Sequence, residues 1–194
     1  MKITRREIIN LLTARLDERR LRHSLAAEKE ATSLAVHHGE DWRKAALAAL
    51  LHDLCRCDPT EWQRSYLRAR SVKLAREWLC DPQLLHGPCV AEYIRCELGV
   101  TDREILSAVR YHTTGRPGMT NLEKIVFLAD KIEATRDYDG VEKTRAAAYQ
   151  SLDKAVHFVL GHNLAQVCKM GLPLVKEAVG AYNELTTRII DEEG

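Results

Sequence analysis

An all-α, multi-helix bundle is the fold class this sequence predicts, and three observations predict it. Apolar residues recur every three or four positions in one segment after another. No segment alternates with period two. Three Thr-x-x-Glu motifs, Thr4 to Glu7, Thr101 to Glu104 and Thr120 to Glu123, read as capping boxes, in which the threonine hydroxyl and glutamate carboxylate satisfy free amides at a helix start.

The Thr4 box opens a first helix through "REIINLLTARL". A second runs through "RLRHSLAAEKEATSLAVHH", from Arg20 to His38. The third, "DWRKAALAALLHDL" from Asp41, carries Ala and Leu from Ala45 to Leu51 and so has little polar surface, which makes it central to the bundle. "GPCVAEYIRCEL" is the next, followed by the helices of the Thr101 and Thr120 boxes. "EKTRAAAYQSLDKAVHFVL" and a final helix from Pro173, "LPLVKEAVGAYNELTTRII", complete the set. Gly39, Gly87, Gly99, Gly115, Gly118 and Gly140 fall between these segments, where turns and C-caps accept positive φ. Neither a repeat nor a linker divides the chain, so residues 1–194 read as a single domain.

Composition excludes several function classes. The 29 basic and 28 acidic residues leave a net charge of +1, which disfavours nucleic acid as the main partner. No stretch reaches the ~18 uninterrupted apolar residues of a membrane helix, and the amphipathic start lacks the features of a secretory signal. A cytoplasmic protein without a membrane partner is expected. The six cysteines, at positions 55, 57, 80, 89, 96 and 168, form no C-x-x-C pair and read as reduced thiols. Trp42, Trp62 and Trp78 read as helix-packing residues, and His37, His38, His157 and His162 as surface or ordinary hydrogen-bonding groups.

The chemistry sits in "LLHDLCRCDP", residues 50–59, where an apolar helix ends on His52 and Asp53. A second carboxylate, Asp130, borders the apolar stripe of Ile125, Leu128, Ala129 and Ile132. Buried carboxylates shift protonation, pair, or bind a metal. His23 lies among leucines, and His86 and His112 lie at helix ends, from which several helices can aim side chains at one point. Each residue alone also fits a hydrogen-bonded core histidine, a cap or a salt-bridge partner.

As an ordered set, His23, His52-Asp53, His86, His112 and Asp130 in a helical chain resemble the HD superfamily of metal-dependent phosphohydrolases. "RHSL", "AALLHDLCRCDP", "LLHGP", "AVRYHTTGRPGM", "LEKIVFLADKIEATRDYDGV" and "AYNEL" together resemble its YqeK-type symmetrical bis(5'-nucleosyl)-tetraphosphatases, from about Arg5 to Ile190. This chain departs from the family pattern in "CRC" after the pair and in Ala134 after "IE".

The resemblance implies an HD-domain helical bundle and two metal ions. His23, His52, Asp53 and Asp130 would hold one, and Asp53 would bridge to a second held by His86 and His112. Four imidazoles and two carboxylates suit iron, manganese, cobalt or nickel better than magnesium, and the family points to iron. The implied reaction is hydrolysis of diadenosine tetraphosphate, a small-molecule nucleotide, into two ADP. Asp53 and Arg136 are the catalytic candidates, and Arg136 has the fork for bidentate phosphate contacts. Arg56, Thr113, Thr114 and Lys131 join Arg136 as expected substrate contacts, with a solvated charge or a local turn hydrogen bond as the plain alternative for each. Another HD nucleotide phosphohydrolase and a non-catalytic nucleotide sensor are the competing functions, and a homodimer is compatible with either.

Overall fold

The structure is a computed structural model describing residues 3–193; Met1, Lys2 and Gly194 of the expected domain lie outside them. Among the described residues there are eleven α-helices and no strand: α1 Arg5–Arg15, α2 Glu18–His37, α3 Trp42–Leu51, α4 Thr60–Ala69, α5 Arg76–Cys80, α6 His86–Cys96, α7 Arg103–Tyr111, α8 Asn121–Ile132, α9 Val141–Gln150, α10 Leu152–Lys169 and α11 Lys176–Glu193. A 3-10 turn, Pro82–Leu84, precedes α6. Among the described residues, no helix is long and apolar enough to cross a membrane.

The bundle closes around α8. It packs against α2, α3, α7, α9 and α10, and buries ten of its twelve residues, from Leu122 to Ile132. Burial on all sides requires its charged residues to be paired. Glu123 receives Arg116 through two nitrogens, and Lys124 reaches Asp153. The central helix expected at α3 is thus flanked by one buried more completely. α3 packs on α2, α7 and α8, with Ala45, Ala48, Ala49, Leu50 and Leu51 inside.

The capping boxes of Thr4 and Thr120 form in full. The third does not. Asp102 caps α7, its carboxylate accepting from the amides of Glu104 and Ile105, because an anion one residue past Thr101 can satisfy two free donors beside the positive end of the helix. The long segment after Gly140 is two helices. Ser151 is extended between them, at φ −154° and ψ 115°, and its hydroxyl accepts from Lys154 N. The final helix begins at Lys176 rather than Pro173. Helices α4 and α5 lie where none was expected.

Gly87 is not in a turn. Gly39, Gly99, Gly115, Gly118 and Gly140 have positive φ, whereas Gly87 occupies the first turn of α6. A Cβ there would sit 2.6 Å from the Arg110 carbonyl oxygen, so the absence of a side chain lets α6 and α7 touch. Trp78 is buried against Val175 and Ala178, and Trp62 stacks on Tyr66. Trp42 departs from the expected packing role: it is 43% exposed and rests against Arg43.

Candidate metal centre

Helix α2 contributes His23 from within its length; His52 and Asp53 follow the last turn of α3, and His86 opens α6. His112 follows the last turn of α7, and Asp130 lies near the end of α8. All six are buried, the most exposed at 6%.

Their side chains converge in two groups. His23 Nε2 lies 3.0 Å from Asp130 Oδ1 and 3.1 Å from His52 Nε2. His86 Nε2 lies 3.0 Å from His112 Nε2. Asp53 stands between them. Its Oδ2 is 3.7 Å from His52 Nε2 and 3.8 Å from His23 Nε2, while its Oδ1 is 3.2 Å from His86 Nε2 and 4.0 Å from His112 Nε2.

The far nitrogen of every ring is tied down. His52 Nδ1 is 2.6 Å from Ala49 O, His86 Nδ1 is 2.6 Å from Gln83 O, and His112 Nδ1 is 2.7 Å from Val109 O. His23 Nδ1 is 3.0 Å from Glu133 Oε1. Carbonyl and carboxylate oxygens accept only, so in a neutral ring each Nδ1 carries the proton and each Nε2 presents a lone pair. Four lone pairs and two carboxylates then face one another. That donor set fits cations: the imidazoles are fixed in the tautomer and orientation a ligand needs, and nitrogen with carboxylate oxygen suits transition metals.

Residues 20–135 match the HD domain family, and this span takes in all six converging residues. The chain belongs to the HD domain family. Over 183 residues it is 37% identical to "Bis(5'-nucleosyl)-tetraphosphatase, symmetrical" of Halalkalibacterium halodurans, a match covering 94% of this chain and 97% of that protein. The protein of the same name from Bacillus subtilis is 34% identical over 185 residues, covering 95% and 99%. Among solved structures, a predicted HD superfamily hydrolase involved in NAD metabolism from Clostridium acetobutylicum superimposes with a TM-score of 0.93 at 33% identity, covering 96% of this chain and 98% of that one.

Electrostatics around the HD pair favour a cation. Burial pushes the Asp53 carboxyl up, but His52 and His86 outweigh it and hold it well below the usual range. Burial likewise opposes ionisation of Asp130, and Lys131, His23 and His52 overcome it. His112 is held well below its ordinary value, first by burial and then by His86 and His52. Two anionic carboxylates and a neutral imidazole are the protonation states that metal binding requires. His52 moves the other way, burial being outweighed by Asp53 and Asp130, so a proton competes with a cation there.

Beside the HD pair lies a cavity of about 330 Å³, lined by Arg20, Arg56, Thr113, Lys131 and Arg136 among others. Arg56 donates to Gln83 Oε1 at 2.9 Å, and Lys131 Nζ to Asp130 Oδ2 at 2.6 Å. Arg136 is less free than its expected phosphate fork requires. Its Nε donates to Asp130 O at 2.8 Å and its Nη2 to Asp130 Oδ1 at 2.7 Å. The hydroxyl of Thr114 turns away to Gly115 O at 2.9 Å, whereas Thr113 Oγ1 is buried without a partner.

Two residues of the site went unread in the sequence. Arg20 Nη1 donates to Asp53 Oδ2 at 2.9 Å, and Glu133 orients His23. Each lies three residues from an expected ligand, Arg20 from His23 and Glu133 from Asp130, and that spacing on one helical face is the signal that finds them.

Proposed function

We propose that this protein hydrolyses diadenosine tetraphosphate and related dinucleoside polyphosphates symmetrically, giving two ADP or two NDP, at a dinuclear metal site. The observation that carries the proposal is Asp53, whose two oxygens face two different histidine pairs as a bridging carboxylate would. Near-full-length similarity to proteins named symmetrical bis(5'-nucleosyl)-tetraphosphatase supports the substrate class.

His23, His52, Asp53 and Asp130 would hold one ion, and Asp53, His86 and His112 the other. Iron is the proposed metal, with manganese, cobalt or nickel as alternatives. When bound, such ions supply Lewis acidity toward water and phosphate. The chain supplies the rest. Arg20, Arg56, Lys131 and Arg136 place positive charge around the cavity, matching a polyanionic phosphate chain. Thr113 lines the same cavity, with its Oγ1 buried and without a hydrogen-bond partner of its own. The six free thiols support a cytoplasmic location.

Metal analysis of anaerobically purified protein, followed by product identification with diadenosine tetraphosphate, tests the reading. About two transition-metal ions per chain and ADP as sole product are expected. One ion after full reconstitution, or equal ATP and AMP, rejects it. Arg136→Ala should lower kcat/KM by about 10–100-fold, the loss of a charge-assisted hydrogen bond worth ~1.5–3 kcal/mol. Because Arg136 also braces Asp130, metal affinity should fall with it, and metal titration checks this. Unchanged affinity would assign the arginine to phosphate alone.

A further inference from the structure

Beyond the central cavity, Lys131 and Arg136 also line a second cavity of about 220 Å³, with Tyr138, Phe158, His162 and Asn163. Its two aromatic side chains face water: Phe158 is 55% exposed and Tyr138 38%. Large apolar side chains in this fold are otherwise mostly buried, so two exposed rings flanking one cavity beside a cationic pair suit a planar, partly polar group attached to phosphate. On another side of α10, Leu160, Leu164 and Val167 line a separate apolar pocket with Leu172 and Val175, and Thr113 borders both that pocket and the central cavity. Asn163 is shared by the apolar pocket and the aromatic cavity.

We propose that the Phe158–Tyr138 cavity is a nucleoside subsite, taking one base of a dinucleoside polyphosphate by stacking on Phe158. This rests on the hydrolase reading above and extends it. A dinucleoside tetraphosphate is two-fold symmetric about its central bridge, whereas the pockets on either side of α10 are chemically unlike. The apolar pocket is narrow, about 60 Å³, and lined mainly by aliphatic side chains, whereas the larger aromatic cavity leaves its rings open to water. Stacking accepts any base because every base has a π-face, so the aromatic side tolerates base exchange.

In the metal-loaded protein, Phe158→Ala should raise KM for diadenosine tetraphosphate about tenfold, within the range of one lost base–aromatic stack. kcat and metal content should stay within twofold, and Phe158→Tyr should restore KM. A readout without turnover uses Phe158→Trp and the central methylene-bridged analogue AppCH2ppA. Added analogue should quench the emission of the introduced indole beyond any change in the parent protein. A KM within twofold of the parent in Phe158→Ala, or no added quenching in Phe158→Trp, overturns the subsite. If diadenosine tetraphosphate is not hydrolysed but the indole is still quenched, the reaction assignment fails and the subsite stands.

Discussion

Asp53→Asn should strip the protein of metal and reduce turnover by more than a hundredfold, beyond the about 10–100-fold typical of losing an outer-shell partner. Asparagine keeps the shape of the side chain. It replaces one anionic oxygen with an amide nitrogen, which has no lone pair to offer a cation, and removes the charge that faces both histidine pairs. Arg20, which donates to Asp53 Oδ2, is left beside the histidines without its anion. Metal analysis and steady-state kinetics on the folded variant decide the matter. Parent-like metal content with near-parent turnover would reject the bridging role proposed for Asp53.

Gly87→Ala should cost stability rather than add it. In an ordinary helix this substitution gains up to about 1 kcal/mol, because alanine loses less backbone freedom on folding. Here the new Cβ meets the backbone of Arg110 at 2.6 Å, and backbone does not yield as the end of a flexible side chain does. Overpacking of this kind costs ~1–3 kcal/mol, or roughly 2–4 °C in Tm per kcal/mol for a chain of this size. The larger effect is local. Separating α6 from α7 parts His86 from His112, now 3.0 Å apart, so if the proposed dinuclear site holds, metal content should fall toward one ion per chain. Thermal denaturation and metal analysis together check it; a stabilised variant with full metal content would show that the close approach is not required.

The centre was legible because its residues are ones that an apolar helix does not bury without compensation. His52 and Asp53 after Ala45–Leu51, and Asp130 on the border of an apolar stripe, violate hydrophobic patterning where a ligand or a charge must offset the penalty. What escaped depends on distant partners or weak local signals. A glycine between two segments fits a turn and a close approach equally well, and Gly87 is decided by Arg110, 23 residues away. Helix α5 has five residues, too few for a 3.6-residue period to repeat. α4 did carry a signal, with Trp62 and Tyr66 one turn apart and stacked at 4.9 Å between ring centres. The break at Ser151 is hidden because apolar residues on both sides continue the same spacing, leaving one cap residue to mark it. The sequence reads Arg136 as a catalytic candidate with a fork for phosphate, whereas its engagement by Asp130 follows from the chain turning back after α8.

The ring tethers differ in their exposure to mutation. His52, His86 and His112 are each held by a main-chain carbonyl three residues upstream, an acceptor that every amino acid supplies. Ala49, Gln83 and Val109 can therefore change identity without deleting the atom that orients the imidazole. His23 is held by the side chain of Glu133, which lies 110 positions away in the sequence and is fully buried. Genetic drift can erode ring orientation at this fourth position by altering a single codon, whereas the other three are insulated by the uniform chemistry of the polypeptide.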